Sequence, residues 1–144
     1  MFVVDTNVLL YAADCDATGH QNCRDLLRLW RDQATAWHLT WGIVYEFVRV
    51  ATHPNVFREP WPVGHAWRFI QAVLASPSLG VLQETERHQQ VASEVFQQLP
   101  FISGNLVFDA HTVVLMKEHG VRRIYTHDAD FHRFPFLEVI DPLQ

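Results

Sequence analysis

Asp5 stands where an apolar run stops. Met1-Phe2-Val3-Val4 has the composition of a buried strand, and Asp5-Thr6-Asn7 comes next before apolar residues resume at Val8. A carboxylate ending a buried strand lies at the carboxyl edge of a sheet, where open α/β folds build their sites. The same Asp could simply cap the next helix. Three further acids have similar settings. Glu46 falls between Ile43 and Phe47 on or beside an apolar helical stripe, where a carboxylate is costly unless paired or metal-bound. Pairing with Arg49, one turn along, is the plainer explanation. Asp109 lies in the first turns of a helix that opens at a Gly104 turn and an Asn105 cap, where the helix dipole alone favours it. Asp128 and Asp130 come after the short apolar segment Ile124-Tyr125, and an Asp-rich turn explains either one singly.

Taken together the acids say more. Carboxylates in one pocket repel, and one or more of their pKa values must rise. A hard divalent cation removes that cost. Mg²⁺ and Mn²⁺ prefer oxygen ligands, and Mg²⁺ keeps waters and bridges to substrate phosphates. Such a site suits in-line attack of water on a phosphodiester.

The acids need elements that bring them to one edge. Periodicity and turn residues predict a strand over 2–5, helices over 6–13 and 17–34, a strand over 36–40 and a helix over 41–52. His53-Pro54 ends that last helix, because the residue before Pro avoids the helical region. After a loop holding Pro54, Pro60 and Pro62 come a helix over 64–76, a strand over 80–83 and helices over 84–99 and 105–119. Gly120 stops the last of these. Strands over 123–126 and 137–140 finish the chain. Alternating strands and helices imply an α/β fold, a central parallel sheet with helices on both faces. Phe57, Trp61, Trp67 and Phe69 are either core or a docking surface.

Val4-Asp5-Thr6-Asn7-Val8-Leu9-Leu10-Tyr11-Ala12 resembles the opening signature of PIN-domain nucleases. Asn105-Leu106-Val107-Phe108-Asp109-Ala110 and Thr126-His127-Asp128-Ala129-Asp130-Phe131 resemble that family's third and fourth acid motifs. Order and spacing are similar to those of the small VapC-type toxin ribonucleases, and the stretch from Glu46 to Phe57 resembles one VapC subgroup. The likeness runs from Met1 to about Pro142. It implies one PIN-like domain over 1–144 in which Asp5, Glu46, Asp109 and Asp128 meet at the sheet edge. Asp5, Asp109 and Asp128 would hold Mg²⁺ or Mn²⁺, with Thr6, Asn7 and Thr126 supporting them through hydrogen bonds. The family pattern favours Asp128 over Asp130 as the fourth acid, leaving Asp130 as a turn residue that caps the next segment. The implied partners are an RNA substrate, a small cognate antitoxin and a second copy of the chain in a homodimer. An antitoxin Arg would compete with metal for the carboxylates, and the Trp61–Phe69 region would add apolar contact.

A length of 144 residues with 49% hydrophobic residues allows one well-cored domain. No apolar run approaches the ~20 residues that span a bilayer. No basic segment precedes the first apolar run, so no secretory signal is evident and cytoplasmic residence is expected. Cys15 and Cys23 are expected to be buried free thiols. The net charge of −5, from 11 basic and 16 acidic residues, is unusual for a nucleic-acid binder. Arg24, Arg28 and Arg31 recur at helical spacing and are weak candidates, with Arg49, for RNA contact; a solvated helix face is the blander reading. None of the nine histidines forms the H-E-x-x-H pattern of zinc hydrolases. His111 or His127 could touch substrate at the rim.

Three functions compete. The first is an endoribonuclease toxin held by an antitoxin. The second is a PIN-type processing or decay nuclease without one. The third is a non-catalytic RNA- or metal-binding module, which the complete acid set argues against.

Overall fold

The apolar residues before Asp5 form β1, Phe2–Val4, and all three are buried. A strand covered on both faces is what a parallel sheet requires. The computed structural model describes residues 1–144. It adds β2 (Trp37–Thr40), β3 (Leu79–Leu82), β4 (Arg123–Tyr125) and β5 (Glu138–Ile140). The helices are α1 (Thr6–Ala13), α2 (His20–Asp32), α3 (Trp41–Ala51), α4 (Val63–Leu74), α5 (His88–Gln98) and α6 (Leu106–Glu118). The sheet order is β3-β2-β1-β4-β5, and every pairing is parallel.

From β1 the chain moves outward through β2 to β3, then returns across the sheet to β4 on the other side of β1. Right-handed crossovers therefore put α1 to α4 on one face and α5 and α6 on the other. The strand order reverses between β1 and β4, so the switch point lies at their carboxyl ends. Asp5 comes directly after β1 and Thr126 directly after β4, on neighbouring strands. Thr40 ends β2 and caps α3 by accepting from the Ile43 N–H at 3.1 Å, which fixes the start of the helix that bears Glu46.

Helix ends are set by local chemistry. Gly120 at φ +68 permits the left-handed turn after α6, where the Val121 N–H reaches Met116 O at 2.9 Å and the Gly120 N–H reaches Lys117 O, a Schellman closure. Asn105 opens α6 without a capping bond from its side chain, so the expected Asn cap is absent. α2 begins at His20, later than 17, because the Asp14 carboxylate captures the Asp16 N–H at 3.0 Å and holds a turn there. α5 begins at His88, later than 84, because the Thr85 N–H and hydroxyl are bound instead by Glu118. A 3₁₀ turn over Ala129–Arg133 adds an element that periodicity does not predict.

The aromatic group after α3 is mostly internal. Phe57 is buried, and Phe69 stacks on buried Phe47 at 5.0 Å. Trp61 meets Phe47, Phe57 and Phe69 edge-on. Trp67 and Val63 remain exposed. Cys23 is buried, and burial pushes its thiol up to about 11. Cys15 is exposed, contrary to expectation, because it lies in the turn before α2. No helix is long and apolar enough to cross a membrane.

Candidate active site

Asp5 is 7% exposed at the mouth of the switch point. It both caps α1 and forms the floor of a cleft. Its Oδ1 accepts from the Thr6 N–H at 2.8 Å. Its Oδ2 accepts from the Asn7 amide at 2.8 Å and the Thr126 hydroxyl at 2.7 Å. Thr126 Oγ1 in turn accepts from the Asn7 amide and the Asp128 N–H, each at 3.0 Å. Asn7 Oδ1 accepts from the His127 N–H. One network thus locks the ends of β1 and β4 together and fixes the Asp5 carboxylate.

The cleft has a volume of about 700 Å³ and is lined by Asp5, Glu46, Asp109, Asp128 and Asp130 among others. The four acids expected from the sequence are therefore brought to one place. Burial drives the Asp5 pKa up, Thr126 and Thr6 pull it down, Glu46 and Asp128 push it up again, and the result is about 6. Asp109 rises to about 7, through partial burial first and then repulsion from Asp5, Asp128, Glu46 and Asp130. No three of these acids bring oxygens within 4.8 Å of one another. That open spacing suits an ion that keeps much of its own water, and the all-oxygen donor set suits Mg²⁺ or Mn²⁺.

Glu46 differs from its expected setting. It is exposed on α3, while Ile43, Val44 and Phe47 take the buried side. It reaches over the rim, accepts from the Thr6 hydroxyl at 2.9 Å and stands 3.9 Å from Arg49. Asp128, not Asp130, caps the 3₁₀ turn, by accepting from the Asp130 N–H at 2.9 Å. Asp130 is exposed and lies 3.8 Å from Arg133.

The weaker candidates divide. Arg49 and His111 line the cleft. His127 does not, and its ring is engaged by Asp141 at 2.9 Å. Arg24, Arg28 and Arg31 line a separate hollow with Leu27, Trp37 and Phe69, away from the acids. Two residues that periodicity does not single out also line the cleft. Tyr45 and Phe108 are 69% and 73% exposed there. A signal for them exists in the sequence, since each immediately precedes one of the acids on a helix.

Comparison with known proteins gives a consistent picture. Ribonuclease VapC43 of Mycobacterium tuberculosis is 33% identical over 147 residues, covering 99% of this chain and 96% of its own. Ribonuclease VapC37 of the same species is 34% identical over 138 residues, covering 93% and 92%. In structure the chain resembles Mycobacterium tuberculosis VapC20, described as a sarcin-ricin loop cleaving toxin. The TM-score is 0.69 at 19% identity, covering 98% and 100% of the two chains. A toxin–antitoxin complex from Klebsiella pneumoniae has a TM-score of 0.61 at 15% identity, covering 99% and 98%. These distant structures establish the fold alone. Residues 2–137 match the PIN domain family model, and with VapC43 and VapC37 above 30% identity the chain belongs to the PIN-domain family, among its VapC ribonucleases.

Proposed function

We propose that this chain is a metal-dependent endoribonuclease toxin that hydrolyses RNA with Mg²⁺ or Mn²⁺ held by Asp5, Asp109 and Asp128. The supporting observation is that five carboxylates share one cleft while two of them, Asp5 and Asp109, are pushed to about 6 and about 7 by burial and mutual repulsion. A bound divalent cation relieves that repulsion, and when present it supplies Lewis-acid stabilisation of the phosphoryl charge and a more acidic water.

The chain's own residues do the rest. Asn7 and Thr126 fix the Asp5 carboxylate in one rotamer. The Thr6 hydroxyl holds Glu46 toward the cleft, where it orients the attacking water and takes its proton. Arg49 offers a guanidinium to a substrate phosphate. Tyr45 and Phe108 offer exposed rings on which flanking bases stack. A toxin of this kind needs restraint, and the kinship with VapC ribonucleases supports a small cognate antitoxin. A basic antitoxin side chain entering the cleft would pair with the carboxylates that hold metal. The chain is expected to work as a homodimer in the cytoplasm.

The test is cleavage of RNA by the purified, partner-free chain. Activity should require Mg²⁺ or Mn²⁺ and leave 5′-phosphate and 3′-hydroxyl ends, because attack by water needs no ribose 2′-hydroxyl. Cyclic phosphate ends, or full activity in excess chelator, would overturn the mechanism. Expression alone should arrest growth, and co-expression of its small cognate antitoxin should restore it.

A further inference from the structure

Behind the wall of the cleft lies a second cluster with different donors. Glu84 is in the connection from β3 to α5, His88 opens α5, and His111 is on α6. One ligand atom from each lies within 4.8 Å of the other two. The two imidazoles meet edge to face with centroids 5.6 Å apart. His111 Nε2 is 3.0 Å from Glu84 Oε1.

A second observation concerns His88 alone. Its Nδ1 donates to Glu118 Oε2 at 2.7 Å, and the Glu118 side chain is 0% exposed. Glu118 Oε1 is taken by the Thr85 N–H and hydroxyl at 2.9 and 2.7 Å. Arg87 adds a bond to the Glu118 carbonyl at 2.9 Å. A buried and fully partnered carboxylate thus fixes both the ring orientation and the tautomer of His88, leaving Nε2 as the nitrogen with a free lone pair. A carboxylate behind an imidazole is the arrangement that orients and strengthens a metal-ligating histidine.

We propose that Glu84, His88 and His111 form a binding site for a borderline divalent cation, Zn²⁺ by the chemistry of its donors, distinct from the acid cluster and sharing only His111 with the wall of its cleft. Two imidazole nitrogens and one carboxylate oxygen suit Zn²⁺ and are poor ligands for Mg²⁺. Zinc–nitrogen bonds of about 2.0–2.1 Å give tetrahedral edges of about 3.3 Å. The cluster must therefore close by no more than about 1.5 Å from its 4.8 Å limit. The side chains that must move are free to do so, since Glu84 is 54% and His111 40% exposed. The ion takes the place of the proton between His111 and Glu84 and leaves a fourth position to water. Its effect is to fasten the β3–α5 connection to α6 two residues from Asp109. The site stands independently of the ribonuclease reading.

The experiment measures Zn²⁺ binding by competition with a chromophoric chelator. It uses the full chain carrying Asp5→Asn and Asp109→Asn, in excess Mg²⁺, so that the acid cleft does not contribute. One equivalent of Zn²⁺ should bind, and Co²⁺ in its place should give the intense visible bands of a tetrahedral site. Glu84→Gln and His111→Gln, at exposed positions that leave the fold intact, should each weaken binding by more than roughly 100-fold. Glu118→Gln, which only orients His88, should weaken it by roughly 10–100-fold. Zn²⁺ bound equally well by the Glu84 and His111 variants, or not bound at all by the parent, would overturn the proposal.

Discussion

Helix α6 carries a carboxylate in its first turn and another in its last, and the two have opposite fates. Asp109 is partly buried, and its neighbours Asp5, Asp128, Glu46 and Asp130 all raise its pKa, to about 7. Glu118 is more deeply buried and sits at the helix end that disfavours negative charge. Burial raises it, yet the bonds from His88 and Thr85 outweigh that and hold it below the usual range. Burial alone therefore does not decide what a carboxylate is for. The number of donors aimed at it does. Glu118 has its donors and acts as scaffold. Asp109 lacks them and is left strained at neutral pH, which is what its proposed role as a cation ligand requires. Asp5 lies between these cases, with three donors and a raised pKa at once.

The sharpest way to break the comparison is to remove the acids that lack compensation. Asp5→Asn and Asp109→Asn should each reduce RNA cleavage by more than the roughly 100-fold upper range seen for groups that merely orient a ligand. Their folds should respond differently. Asn at Asp109 removes repulsion only. Asn at Asp5 puts an NH₂ where a carboxylate oxygen accepts, facing either the Thr6 N–H or the Asn7 amide, and neither of these can accept from it. Cleavage assays with melting curves check both, and retained activity in either variant removes that residue from the site.

Thr126→Val comes next. It deletes the hydroxyl that makes three bonds, two of them linking the ends of β1 and β4, while keeping the shape. Activity should fall by roughly 10–100-fold. A loss as large as that of Asp5→Asn would mean that Thr126 does more than position. On the scaffold side, Glu118→Gln should cost about 1.5–3 kcal/mol of stability, the range for a hydrogen bond to a charged group. Chemical denaturation measures it, and no change would erase the contrast with Asp109.

Asp5 is legible in the sequence because three apolar residues lead straight to it and the strand admits one geometry. The order of strands and helices is legible too, since short apolar runs mark the strands and helical periodicity marks the helices between them. Glu46 is legible as a member of the acid group but not in its surroundings. Periodicity gives an angle around α3, and residues adjacent in sequence differ by about 100° there. Ile43 and Phe47 face in while Glu46 faces out. The start of α5 is illegible for another reason. Thr85 is 33 residues from Glu118, and no local rule reports that a side chain so distant will take the N–H that a helix would have used. The arginines of α2 show the same limit. Their helical spacing is plain in the sequence, but which groove they line is decided by how α2 packs on α1, which leaves a hollow between them and α4.

The smallest effect tests the comparison most directly, because it tracks one proton. Asp109 has a folded pKa of about 7 against an ordinary 3.8. A raised folded value means that the folded protein favours the protonated acid. The stability so gained is fully present below about pH 4 and is lost as pH rises through about 7. A shift of this size caps the effect at ~4 kcal/mol, and partial solvent exposure reduces it to about 1–2 kcal/mol. Asp109→Asn cannot lose a proton, so the variant should keep what the parent loses. In chelator, the melting temperature of the variant should exceed that of the parent at pH 8, and the gap should close toward pH 4. Mg²⁺ should narrow the gap at pH 8 as well, because it stabilises the ionised parent by binding and has one ligand fewer in the variant. A gap that is constant with pH would show that the substitution acts through packing, and the Asp109 carboxyl would then be no more strained than that of Glu118.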